Sequence, residues 1–461
     1  MNKPSLILAP GEARCPGDSV QDVLDADGDN PPPAYRKQAY QYLGSADLPF
    51  ERYTSRPFFD LEMERMWPRT WQWACREEHI PEVGDYYVYD VGPYSLIVTR
   101  TAPDTIKAYY NACLHRGTKL KPSGTTGSSQ AISCPYHGWT WSLNGELTRL
   151  LCEWDFPHVN KEEFDLPEAR VGVWGGFVFV NMDENAVPLD AYLAPLTEDA
   201  KRAGFEDRYV SLHVEKELPC NWKVAQEAFL EAYHLLATHP QLLPASGDIN
   251  TQYDILSDHV DRLFNLVGSP SPLLEREVSQ QEILDTMVLG DREQLGGALR
   301  VPDGGRARAI MAQYFRDLIG EHCGRDLSAF SVTEVIDTVG YFAFPNAHFF
   351  LALSFPIVYR FRPLGTDHTR TLFDLLLLSP VPKDGPRPEP YEPFRVKVEE
   401  SYGIVPGMDP SMAVIYDQDT GNMGWQQEGF GAAKKKRATL GNYQEVRIRH
   451  MHQTLDKYLA G

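Results

Sequence analysis

Cysteine is scarce in this chain, with seven residues in 461, an odd number without regular spacing. That excludes a disulfide framework and points to a reducing, cytoplasmic setting in which any Cys–His cluster is suspected of holding metal. Long apolar runs are missing too. The richest, Leu372 to Leu378, is interrupted by Asp374, and nothing approaches the roughly 20 residues that span a bilayer. Leu6 to Ala9 is too short for the hydrophobic region of a signal peptide. Positive charge is in deficit: 44 Lys and Arg stand against 64 Asp and Glu, a formal net charge of −20. Such a field repels nucleic acids and anionic membranes, so neither is expected as a partner. No Gly-rich nucleotide fingerprint is present either, and direct binding of NAD(P)H is not expected.

The length exceeds one comfortable core and predicts more than one domain. Residues 1–45 are polar, with Pro31-Pro32-Pro33 arguing against helix, and read as an arm. From Tyr86 short β-like runs succeed one another: Tyr86 to Tyr89, Ser95 to Val98, Ile106 to Tyr110, Thr140 to Ser142, and Val171 to Val180. They predict a small all-β domain over 46–185. Beyond it, over 186–461, the pattern becomes α+β. Trp222 to Leu236 is helix-like and stopped by Pro240, and 245–325 carries amphipathic stretches such as Ala307-Ile310-Met311-Tyr314-Leu318. Strands return at Thr338 to Phe344, His348 to Phe355, Ile357 to Phe361 and Thr371 to Leu378, before a helical C-terminal region. A sheet covered by helices fits this second part.

Two short loops each offer one thiolate and one imidazole. Cys113-Leu114-His115-Arg116-Gly117 is followed by Cys134-Pro135-Tyr136-His137-Gly138-Trp139, with a gap of 18 residues between His115 and Cys134. Tetrahedral zinc accepts such a set, but zinc fingers usually pair Cys with Cys and His with His, whereas these ligands alternate. Alternation suits a Rieske [2Fe–2S] centre, with Cys113 and Cys134 on one iron and His115 and His137 on the other. Further on, His234 and His239 stand five apart. On a regular helix that spacing separates them around the axis, so both reach one metal only if the helix bends or frays. A carboxylate from Tyr416-Asp417-Gln418-Asp419-Thr420 would complete a two-His, one-carboxylate set on Fe(II).

The two cluster loops, Trp222 to Pro240 and Asp417 to Gln427 together resemble the alpha (catalytic) subunits of Rieske non-haem iron oxygenases, the aromatic ring-hydroxylating dioxygenase family. The resemblance implies that Asp419 is the third iron ligand, with Asp417 as the fallback. It implies that Glu231, where the family usually has aspartate, bridges His234 to the cluster histidine His137 of a neighbouring subunit. Asn221 is either a helix cap or a group that orients a metal ligand. The implied activity is that of a terminal oxygenase: electrons pass from the cluster to the mononuclear Fe(II), and oxygen from O₂ enters an apolar organic substrate, an aromatic one above all. The product is a cis-diol, or the result of monooxygenation or demethylation. A reductase or ferredoxin would supply electrons to a homotrimer, with or without a beta subunit. The rival readings are an electron carrier holding only the Rieske centre, which has no use for His234, His239 and Asp419, and a zinc protein.

Overall fold

The computed structural model describes residues 8–288 and 299–461. The chain divides into two compact units: Asp60–Leu193 with Pro363–Asp367 and Tyr458–Gly461, and Met1–Phe59 with Ala194–Arg362 and His368–Lys457. The sequence reading sets its steps elsewhere, at 45/46 and 185/186. Among the described residues no helix is long and apolar enough to cross a membrane.

The smaller unit is β-rich. Its seven-stranded sheet runs, in spatial order, Gln72–Arg76, Phe177–Asn181, Glu168–Trp174, Thr105–Tyr110, Tyr94–Ala102, Asp85–Val91 and Thr126–Ser128. The run read as Val171 to Val180 is two strands. Gly175 and Gly176, at φ of 58° and 78°, turn the chain so that Trp174 faces Phe177. A β-branched residue would resist that backbone, which is why the hairpin falls there. A three-stranded sheet, Ile132–Ser133, Thr140–Trp141 and Leu147–Arg149, carries the second Cys–His loop between its first two strands. Ile132, Trp139, Trp141, Leu147 and Leu166 form the core beside it.

The larger unit is built on an eight-stranded sheet in the order Gln252–Ile255, Val260–Asn265, Thr338–Ala343, Ala347–Phe350, Ile357–Leu364, Asp367–Pro380, Arg208–Leu218 and Phe394–Val396. The first two strands fall in the segment read only for helices. They lack alternation because both faces are buried, and their polar side chains are paired rather than solvated. Arg262 holds Asp254 at 2.6 Å, and Asp261 receives Arg447 and His450. Helices Gln280–Met287 and Ala307–Cys323 follow, the second ended by Gly324 in the left-handed conformation. The C-terminal region supplies helices Pro410–Ala432 and Val446–Leu459.

The arm is more ordered than its composition suggests. Ser19 and Asp22 form a capping box on helix Val20–Asp27, and Pro33 opens a single turn at the position where its missing N–H costs nothing. Buried arginines pin the arm to this unit. Arg308 bridges Asp27 and Asp337 at 2.7 Å each, and Arg262 donates to the carbonyls of Ala34 and Lys37.

Candidate metal centres

The two Cys–His loops share one backbone design. Cys113 N–H donates to Thr118 O and Gly117 N–H to Cys113 O; Cys134 N–H donates to Trp139 O and Gly138 N–H to Cys134 O. In each loop the glycine four residues after the cysteine takes positive φ, 76° and 66°, which closes the turn. The loops bring both thiols together, neither in a disulfide. Burial and the facing Cys134 push the Cys113 thiol up. The imidazoles of His115 and His137 meet with ring centroids 4.8 Å apart, and Trp139 stacks on His115 at 5.1 Å. Burial and the neighbouring His137 hold His115 below its ordinary value.

His137 Nδ1 is buried without a hydrogen-bond partner among the described residues. An orphaned imidazole nitrogen in such a place calls for a ligand. Two soft thiolates and two imidazoles converging on one spot fit a Rieske cluster.

The second centre is assembled from three distant pieces of the larger unit. Asn221 caps helix Trp222–Glu227, and the expected continuation to Leu236 does not occur. Residues 228–234 leave the helix, held by Tyr253 Oη, which accepts from Ala232 N–H, and by Arg447, which donates to Leu230 O. Glu231 then captures His234 N–H at 2.9 Å, so the pair sits in a turn rather than on a helix face. The chain resumes as one helical turn, Leu235–Thr238, with His234 and His239 as its two caps. Because both histidines lie at the ends of that turn, they escape the separation a continuous helix would impose, and their ring centroids come within 5.5 Å.

Asp419 completes the set from the buried face of helix Pro410–Ala432. The donor atoms of His234, His239 and Asp419 all lie within 4.8 Å of one another. Asp419 Oδ1 is 2.7 Å from His239 Nε2 and 3.4 Å from His234 Nε2. Both Nδ1 atoms are occupied on the far side: His234 Nδ1–H donates to Glu231 at 2.7 Å and His239 Nδ1–H to Gln418 Oε1 at 2.9 Å. These partners select the tautomer that turns both Nε2 atoms inward, the arrangement expected of metal-binding histidines. Burial alone would lower His234, but Glu231 and Asp419 outweigh it and hold the ring up at about 10. Burial likewise opposes charge on Asp419, and hydrogen bonds from both histidines bring its carboxyl below the usual range. A negatively charged pocket with two imidazoles and one carboxylate fits a divalent iron.

Asp417, two residues away, points elsewhere, accepting from Ser401 Oγ and Tyr402 N–H. Asn221 is committed as a cap, accepting from Lys223 N–H and donating to His368 O, with no bond to the metal-binding trio. Gln418 is the residue sequence reasoning missed. Its one signal was adjacency to Asp419, and nothing in the chain before it shows that its carbonyl meets His239. A second convergence, His213, Glu215 and Asp374, also satisfies a distance test for metal donors. Arg360 and Arg362 already hold Asp374, and Arg395 holds Glu215. A cation there would face guanidinium groups, so this is an ion-pair network.

Residues 205–461 match the family described as Ring hydroxylating alpha subunit (catalytic domain), and residues 70–155 match the Rieske [2Fe-2S] domain. The benzene 1,2-dioxygenase alpha subunit of Pseudomonas putida is 35% identical over 191 residues, 40% of this chain and 42% of that protein. The carnitine monooxygenase oxygenase subunit of Acinetobacter pittii is 32% identical over 190 residues, 41% of this chain and 51% of that protein. The matched part thus spans about half or less of these relatives' length. The structure of a quaternary ammonium Rieske monooxygenase superposes with a TM-score of 0.63 at 18% identity, covering 90% of this chain and 96% of that one, which establishes a shared fold. The chain belongs to the ring-hydroxylating alpha-subunit family, whose two domains imply a Rieske [2Fe–2S] cluster and a mononuclear iron.

Proposed function

We propose that the chain is a terminal oxygenase subunit that takes electrons from a separate reductase or ferredoxin and inserts oxygen from O₂ into a small organic substrate. The observation that carries this reading is the convergence of two Nε2 atoms and one carboxylate oxygen in a chain that also holds a Cys₂His₂ set. An electron carrier would need only the latter. When bound, the cluster supplies one-electron transfer and the iron supplies O₂ activation. The residues around them hold and orient. His234, His239 and Asp419 would ligate the iron. Glu231 and Gln418 keep the two imidazoles from rotating. Cys113 with Cys134, and His115 with His137, would hold the two irons of the cluster.

Glu231 has a second part in this reading. Its carboxylate already accepts from His234 Nδ1–H, and a carboxylate has lone pairs to spare for another imidazole. A neighbouring subunit's cluster histidine, equivalent to His137, is the partner we assign it in a trimer. The buried core that Asp419 lies against is aromatic. Tyr416 lies one turn earlier, its hydroxyl 2.7 Å from that of Tyr359, and Phe373 and Phe229 pack against Tyr359. Such surroundings favour an apolar ring as substrate. The experiment is a substrate-depletion screen of the metal-loaded protein with a generic reductase and ferredoxin, offering aromatic hydrocarbons and quaternary ammonium compounds side by side. Oxygenated product from an aromatic member is the expected result. Cluster reduction without oxygenation of any member would return the chain to the electron-carrier reading.

A further inference from the structure

A cavity of about 380 Å³ opens in the larger unit where strand Arg208–Leu218 begins and strand Asp367–Pro380 ends. Its lining carries an excess of positive charge, from Arg202, Arg208, Arg325 and Arg387. Arg202 is paired with Glu334 just outside the lining at 2.5 Å and Arg325 with Asp207 at 2.9 Å. Four guanidinium groups thus stand against two carboxylates, in a chain whose net charge is −20. The guanidinium groups are fixed in place. Arg208, only 4% exposed, donates to the carbonyls of Ala203 and Leu378. Arg387 donates to the carbonyls of Glu206 and Arg208, and Arg202 lies over the Phe330 ring at 4.3 Å. Apolar side chains complete the lining: Ile319, Leu327, Leu353, and Phe330 beneath Arg202.

Within the larger unit this place is separate from the His–His–Asp centre. No residue of the iron-binding trio, nor Glu231 or Gln418, lines it. Arg208 stands at the far end of an 11-residue strand from Leu218, which leads into the helix capped by Asn221. At about 3.3 Å per residue the strand spans roughly 30 Å. Preordered arginines beside apolar side chains match a ligand with a planar anionic head and a hydrocarbon body. Burial also pulls the Arg208 guanidinium down to about 10, and an anion beside it would recover part of that desolvation cost.

We propose that this cavity is a second ligand site, which takes a small organic anion: a carboxylate carried on a short hydrocarbon body. Calorimetric titration of the purified, metal-loaded protein with hexanoate, hexanamide and inorganic phosphate tests it. Hexanoate should saturate one site per chain, with hexanamide at least 10-fold weaker and phosphate weaker than hexanoate. Arg325→Met should weaken hexanoate at least 5-fold, and Asp207→Asn should tighten it. The side chains of Arg325 and Asp207 are 53% and 62% exposed, so neither change threatens the fold. Equal affinity for hexanoate and hexanamide, tighter binding of phosphate, or no saturable binding would overturn the proposal. So would hexanoate affinity that neither variant moves, because the carboxylate would then be sitting elsewhere.

Discussion

The Cys–His centre draws all four donors from residues 113–137, on two loops with matching backbone hydrogen bonds and a positive-φ glycine in each. The His–His–Asp centre draws its three from residues 234–419, on a broken helix and on the buried face of a long one. The support differs in kind. In the first, backbone turns set the cysteines, Trp139 stacks on one imidazole, and His137 Nδ1 has no partner among the described residues. In the second, each imidazole is held from behind by a named side chain, Glu231 or Gln418. A site made of local turns tolerates change elsewhere in the chain, whereas a site made by tertiary packing depends on side chains that never touch the metal.

That contrast can be broken most forcefully at the ligands themselves. Asp419→Ala should abolish the mononuclear iron and lower turnover by at least about 100-fold, leaving the visible spectrum of the cluster intact. Asp417→Ala, which loses only bonds to Ser401 and Tyr402, should keep iron and activity; the reverse pattern would move the third ligand. Cys134→Ser should do the opposite of Asp419→Ala, removing the cluster and retaining about one iron per chain.

Glu231→Gln comes next. The amide should leave both centres filled, because it preserves the side chain's length. One of its two atoms can no longer accept, so single-turnover reoxidation of the dithionite-reduced cluster should slow by roughly 100-fold. Unchanged reoxidation would make Glu231 an ordinary turn carboxylate. Gln418→Leu should weaken iron binding by roughly 10- to 100-fold in a competition with a chelator, with Gln418→Glu restoring most of the loss. A cluster spectrum altered by Gln418→Leu would contradict the separateness of the two regions.

The smallest effect concerns Glu227, the last residue of helix Trp222–Glu227. Burial pushes its carboxyl up to about 8, from an ordinary 4.5, and it meets His452 at 2.8 Å and Tyr53 at 3.2 Å. The folded protein keeps this proton over a range in which the unfolded chain has released it. Its contribution to stability is therefore complete below about pH 4.5 and is lost as pH rises toward 8. Glu227→Gln offers the same donor to His452 and acceptor to Tyr53 without titrating, so thermal midpoints between pH 5 and 8 should become flatter. An unaltered slope would assign the pH dependence to other groups.

What could be read in the chain follows the same division. The cluster loops are legible because their ligands and their glycines lie within one turn of each other. The strands of the catalytic sheet at 338–378 are legible by their β-branched and aromatic runs, except that the strand read from His348 to Phe355 ends at Phe350. Strands Gln252–Ile255 and Val260–Asn265 are not, because Asp254, Asp261 and Arg262 sit in buried ion pairs and erase the alternation. The break after Glu227 is hidden for a similar reason. It is stabilised by Tyr253 and Arg447, far off in sequence, and local propensity alone continues the helix to Leu236. Between Asp417 and Asp419 only the phase of helix Pro410–Ala432 decides, since residues two apart face different sides.

The central claim is that one chain carries both centres, and metal analysis of the purified protein tests it most directly. Iron, acid-labile sulfide and zinc would be measured alongside the visible spectrum. Two donor sets of these types predict about three irons and two sulfides per chain, with the colour of a Rieske cluster. Asp419→Ala should remove about one iron and no sulfide. Stoichiometric zinc, no sulfide and a colourless protein would contradict the account.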